Sequence, residues 1–448
     1  MSRAIASDRP IFYLFCGLLF WLPIPLGSNR PWAVAVLCVA TFGLCAWWGI
    51  KHLQNQQPLP RAFRKAWPVL GLFTLVQGWV FTSFYLDNSQ GGSLDPARTL
   101  QQLILGLALT ALFALTLLLL KSRRRIKIVV YTLIISGICQ AIYGSLMTLS
   151  GIEYVLFLPK EAYKGVATGT FINRNHLAGY LELCLAVGIG FMIASLKDNS
   201  AGSWRDFGRR TLEALLGTKA RVRIGLVIMV AALVMTHSRM GNTAFFASMS
   251  LAGVIALILS KRASRATVIL LTSLIIIDLV VVGTFFGVEK VVNRIENTTR
   301  NTIARDEVNE QALPLLKDNL ITGTGPGSFY GVFPEYRHQD IRIYFDHAHN
   351  DYLQFAIEFG LIGFMPLLLA VLLTFIVALR AQWQRKDTLM RGLSFTAIMA
   401  IIALGIHSTV DFNLQIPANA ATFMVILALG WISMYHKDGK RQTSFSRH

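Results

Sequence analysis

FDHAHNDYLQFAIEFGLIGFMPLLLAVLLTFIVAL, Phe345 to Leu379, decides the fold. It opens with Asp346, His347, His349, Asn350 and Asp351, and from Leu361 to Leu379 it carries no charge. An uncharged run of that length suffices for one crossing of a hydrocarbon core, which takes about 20 residues at about 1.5 Å per residue. Polar, titratable side chains therefore crowd the mouth of a membrane helix. Immediately upstream lies the only long polar insert outside the basic loops, roughly Glu289 to Asn350.

Working outward, similar apolar runs fall near 11–27, 31–50, 67–86, 101–120, 128–149, 176–196, 222–237, 240–260 and 266–287, with 392–410 and 415–435 after the insert. The hydrophobic share is 54% and the mean hydropathy +0.52, above the soluble range and distributed as membrane spans. The net charge of +18 does not signal nucleic acid, because the cations cluster in short loops between apolar runs, where they mark the cytoplasmic side and meet anionic lipid. With the N-terminus inside, inner segments hold 29 of the 42 Lys and Arg residues; of the other 13, seven lie in the long insert. Long loops obey the positive-inside rule only weakly. The expectation is an all-α polytopic protein of the bacterial inner membrane, with about twelve transmembrane helices, both termini cytoplasmic and a large periplasmic loop between helices 9 and 10. The segments are 1–130 (helices 1–4), 131–288 (helices 5–9), the loop 289–350, 351–436 (helices 10–12) and a tail at 437–448. The first run carries no clear cleavage site and is read as a retained anchor. Cys16, Cys38, Cys45, Cys139 and Cys184 all lie in apolar runs without paired spacing, so they read as small hydrophobes. An amphipathic helix is expected from Thr302 to Asp318.

Four constellations share the outer side in this topology. Asn173, Asn175 and His176 enter the sixth span, either as helix caps or as sugar or phosphate contacts. Arg239, beside Ser238, sits in a tight turn between two spans, either snorkelling to the interface or facing a cavity and an anionic partner. Gly323, Gly325 and Gly327 form either an anion-binding nest or a plain turn around Pro326; no Gly-Lys-Ser/Thr follows, so this is not a P-loop. His347 and His349 lack a distant third ligand and make a poor metal site, while Asn350 or Asp351 can cap the next helix, whose positive end favours a phosphate beside His349. Glu358 lies deeper and needs a partner that the sequence does not name.

GTFINRNHLAGYL, SRMG, GTGPGSF, HNDYLQFAIEFGLIG and HSTVDFNLQIPANA, in this order over about residues 130–435, together resemble the O-antigen ligase and polymerase superfamily. The resemblance implies a membrane glycosyltransferase of the GT-C type. It would move a glycan from an undecaprenyl-diphosphate donor to lipid A core or a growing polysaccharide at the periplasmic face, with no metal, cofactor or nucleotide sugar. It also implies that His349 is the base and that Arg239 and Arg305 hold the diphosphate. Asn173, Asn175, His176, Ser238, Gly325, Gly327, Arg337, Asn350 and Tyr352 would line the substrate site. The motifs do not separate ligase from polymerase. A transporter or flippase that moves the lipid-linked glycan without bond cleavage is the rival reading.

Overall fold

The computed structural model describes residues 8–56, 58–195, 218–259, 272, 307–337 and 345–437. The described residues are mostly helical: α1 Arg9–Trp21, α2 Pro31–Asn55, α3 Arg61–Lys65, α4 Trp67–Tyr85, α5 Pro96–Leu119, α6 Arg123–Ser150, α7 Arg174–Ser195, α8 Thr218–Met235 and α9 Arg239–Leu259. Then follow α10 over 307–318, α11 Phe329–Val332, α12 Asp351–Gln384, α13 Thr388–His407 and α14 Pro417–Tyr435. One two-stranded hairpin, β1 Tyr154–Val155 with β2 Leu158–Pro159, interrupts them between α6 and α7.

Local sequence sets many of these boundaries. Pro10, Pro31, Pro68, Pro96 and Pro417 stand in first turns, where a missing N–H costs nothing. Asp95, Ser122, Asn350 and Asp387 cap α5, α6, α12 and α13 by accepting a backbone N–H three residues on.

Among the described residues nine helices are long and apolar enough to cross a membrane. The protein is thus all-α and multi-pass. Two expected spans differ from that reading: α1 has only 13 residues, and α8 carries Lys219, Arg221 and Arg223 in its first turns. The expected span at 266–287 lies outside the described residues, as does 302–306 of the expected loop helix. The remainder of that helix, α10, buries Val308, Ala312 and Leu315 against Phe329, Phe333, Ala348 and Ile357, so the described part of the polar insert and the start of α12 share one small core.

Burial separates the layers. α7, α13 and α14 are the centre of the bundle, while α2, α4 and α12 keep most of their surface free. Between α7 and α13 the backbones close up at Gly190 and Gly392, where a Cβ on either would meet the other helix's carbonyl region at 2.3–2.4 Å. Small residues at a helix crossing allow such approach in a membrane. Thr396 Oγ1 donates to the Ala186 carbonyl across the same seam. One end of the bundle gathers the starts of α7, α9, α12 and α14 with the connections at 151–173, 236–238, 320–328 and 408–416; the Ala167 N–H bonded to the Met235 carbonyl and the Asp351 N–H bonded to the Ser408 carbonyl tie them together. The opposite end is basic and holds the pairs Asp8–Arg125, Asp8–Lys121 and Arg123–Asp387.

Candidate functional site

α12 is broken one third of the way along. Gly360 takes φ 59° and ψ −179°, a conformation that interrupts the helical hydrogen bonds. The turn segment 319–325 fills the break. Thr324 and Gly325 donate their N–H groups to the carbonyls of Ile357 and Glu358, and Leu361 and Ile362 donate to the carbonyls of Leu320 and Ile321. Trp79 Nε1 satisfies the Phe359 carbonyl at 3.0 Å. A backbone break at membrane depth is tolerable only when its freed groups find such partners.

The same arrangement names the partner of Glu358. The N–H groups of Gly327 and Phe329 are directed at its carboxylate, the latter at 3.3 Å, and Gln354 Nε2 donates to it at 3.1 Å. The glycine-rich stretch is therefore a nest whose anion is the protein's own carboxylate. Gly325 places its N–H on the Glu358 carbonyl and Gly327 directs its own at the Glu358 carboxylate. Gln354 continues the chain to His347 Nδ1 at 3.0 Å and to the Ala348 N–H through its oxygen at 3.2 Å.

Three imidazoles meet around Phe412. His347 stacks on its ring with centroids 4.2 Å apart, while His176 and His349 meet it edge-on at 4.7 Å and 4.9 Å. His349 reaches this position through a left-handed backbone, φ 53°, at the turn before α12. The neighbouring Asp411 is almost wholly buried, and its Oδ1 lies 4.0 Å from His176 Nε2. Burial pushes its carboxyl upward, but His176, His407 and His349 outweigh that and hold it below the ordinary carboxylate value. Burial also lowers His347 below the usual imidazole value, against the opposing pull of Asp346. A neutral imidazole beside an ionised carboxylate can accept a proton and be steadied once charged. Beneath this cluster the fully buried Glu182 and His407 pair at 2.7 Å. Asp351 fastens the start of α12 to the α13–α14 connection, accepting from Ser408 Oγ at 2.7 Å and from the Leu414 N–H at 3.1 Å. Among the described residues no group of three His, Cys, Asp or Glu side chains is placed to hold a metal ion.

A cavity of about 320 Å³ opens beside the cluster between α4, α5, α12, α13 and α14. Phe73, Leu367 and Leu427 represent its apolar walls, and Asp351, Ser408 and Gln415 its polar end.

The other expected residues fall into place as follows. Arg239 is the exposed first residue of α9, and Ser238 caps that helix by accepting the Gly241 N–H at 3.2 Å. Asn173 caps α7: its Oδ1 accepts the Asn175 N–H at 2.9 Å and its carbonyl accepts from His176. Asn350 caps α12 through Leu353 at 3.1 Å, and the Tyr352 hydroxyl donates to the Gly405 carbonyl at 2.8 Å. Asn175 is buried, and Arg337 is half-buried at the end of the segment after α11. Arg305 lies outside the described residues.

Residues 224–368 match the family model described as O-antigen ligase. That segment, about a third of the chain, is similar to the O-antigen ligase family. No curated protein matches it. The O-antigen ligase segment contains Arg239, the whole α10–α11 region, His347, His349 and the break in α12, whereas His176, Asp411 and Phe412 lie outside it. Three groups at the cluster had no role assigned from sequence: Asp411, Gln354 and the Glu182–His407 pair. Glu182 and His407 carried a legible signal, since ionisable side chains within apolar runs require partners.

Proposed function

We propose that the protein transfers a glycan from an undecaprenyl-diphosphate donor to an acceptor hydroxyl at the periplasmic face of the inner membrane, in a single inverting displacement. The acceptor is lipid A core or a growing polysaccharide. The acceptor oxygen attacks the anomeric carbon, the bond from that carbon to the diphosphate oxygen breaks, and the diphosphate leaves with the electron pair. His349 takes the hydroxyl proton, and Asp411 steadies the imidazolium cluster that results. Arg239 and Arg305 pair with the diphosphate; a planar guanidinium does so in bidentate fashion. The apolar cavity beside the cluster accommodates part of the polyprenyl chain.

The observation that carries this reading is the convergence of His176, His347 and His349 with Asp411 at the polar end of a membrane cavity. It supports proton transfer next to a lipid-borne substrate. Purified protein in nanodiscs, given lipid-linked oligosaccharide with or without lipid A core, tests it: the expected products are free undecaprenyl diphosphate and a glycosylated acceptor or lengthened glycan. Movement of the labelled lipid across the bilayer without release of the diphosphate refutes the proposal in favour of transport.

A further inference from the structure

At the basic end of the bundle, away from the imidazole cluster, Asp8 and Asp387 are the paired carboxylates among the described residues. Asp8 pairs with Arg125 at 2.5 Å and with Lys121 at 3.0 Å, and Asp387 pairs with Arg123. Arg61, Arg64 and Lys65 on α3 and Lys437 just past α14 have no ion-pair partner among the described residues. These four cations line one cleft of about 420 Å³ together with Trp67.

The chain builds this cleft by design of its local helix. Arg61, Arg64 and Lys65 stand at i, i+3 and i+4 and so share one face of α3, while Ala62 and Ala66, at 5% and 0% exposure, hold the other face against the bundle. α3 packs on α14, whose end delivers Lys437 across the cleft. Like charges on one helix face repel, and four of them around a hollow are stable together when an anion completes the set. The depth identifies the anion's source. α14 has 19 residues, so its ends lie about 28 Å apart, close to one hydrocarbon thickness. Trp67 is 71% exposed at the rim, where indoles favour the headgroup region. Leu75, eight residues on and 63% exposed, continues the same apolar face of α4 toward the bilayer interior.

We propose that this cleft binds the phosphate headgroup of an anionic phospholipid, with an acyl chain along the Trp67–Leu75 face of α4. The site is separate from the imidazole cluster and does not depend on the transfer reaction.

Native mass spectrometry of the detergent-purified full chain, titrated with phosphatidylglycerol, phosphatidylethanolamine or inorganic phosphate, tests the proposal. Wild type is expected to bind phosphatidylglycerol at least about tenfold more tightly than phosphatidylethanolamine. The triple variant R61Q/R64Q/K65Q loses that preference, and K437Q weakens it. A control variant K127Q/R380Q/K386Q removes the same charge elsewhere at this end and keeps the preference. Equal losses in the two triple variants would mean general charge attraction and overturn the site. Inorganic phosphate binding as tightly as the lipid would overturn the lipid assignment. Should the first triple variant misfold, as judged by its elution and melting temperature, unaltered lipid preference in K437Q and R64Q singly refutes the proposal.

Discussion

Replacing Gly360 by alanine tests the broken helix directly. The backbone there, φ 59° and ψ −179°, belongs to a region essentially restricted to glycine, so alanine adds about 1–3 kcal/mol of strain. The new methyl also has nowhere to go. Its Cβ would lie 2.3 Å from the Ile321 carbonyl oxygen and 2.4 Å from the Gly323 nitrogen, both backbone atoms. Relieving that overlap means parting 319–325 from α12. Four backbone hydrogen bonds join the two segments, those to Ile357, Glu358, Leu320 and Ile321. Losing even two costs about 2 kcal/mol at about 1 kcal/mol net each. The total is about 3–5 kcal/mol. At about 2–4 °C per kcal/mol for domains of 150–250 residues, the melting temperature falls by about 10 °C. Gly71→Ala provides the comparison, because it sits within α4 and an added Cβ meets nothing within 4 Å. Alanine there is neutral or slightly stabilising. The assay is thermal unfolding of both purified variants in one detergent, with hydrogen exchange at 319–325 as a local readout. If Gly360→Ala melts with Gly71→Ala and protects 319–325 as wild type does, the account of the break is wrong.

Four shorter predictions follow. Arg239→Lys keeps charge and reach but loses the planar fork, so transfer falls at least about tenfold at normal yield, and His349→Ala falls as far or further; wild-type turnover by Arg239→Lys makes Arg239 an interface anchor instead. Glu358→Ala leaves the N–H groups of Gly327 and Phe329 and the Gln354 amide without their acceptor, so its melting temperature drops well below that of Glu358→Gln, and equal melting temperatures contradict the nest. His347 is held below its ordinary value of 6.5, so on acidification the unfolded chain binds a proton that the folded chain resists; stability is full above 6.5 and declines as pH falls below it, with Asp411 adding a further loss below its ordinary 3.8. Unfolding followed from pH 7.5 to 5.5 checks the first window, and a slope that His347→Asn does not flatten excludes His347 as its source. Activity survives EDTA if arginines hold the diphosphate, whereas a loss restored by Mg²⁺ revives Asp346, His347, His349 and Asp351 as metal ligands.

The spans were legible because length and apolarity are local properties: α9 from Arg239 and α12 from Asp351 start within a residue of where the sequence puts them. The break was not. FAIEFGLIGF reads as uninterrupted helix, and what opens it is a segment more than thirty residues earlier whose backbone does the pairing. The glycine nest was legible as a shape, but its anion was not, because nothing local in the sequence brings Glu358 to Gly327. His176, His349 and Asp411 lie far apart along the chain, and a single sequence carries no distance between them. The motif order brought His176 and His349 under suspicion; Asp411 became visible only when the α13–α14 connection was seen folded beneath them.

The pairing of 319–325 with α12 also bears on how such proteins diversify. With 307–337 fastened through α10, α11 and the break, and with Phe345 and Ala348 packed on that same small core, both ends of the intervening chain are fixed. Each doubling of a loop's length between fixed ends costs only about 0.6 kcal/mol. Insertions between 337 and 345 are therefore expected to leave His347 and His349 where they are. An epitope or a small folded domain spliced there should leave the imidazole cluster in place, which gives an experimenter a handle on this membrane protein that the helices themselves do not offer.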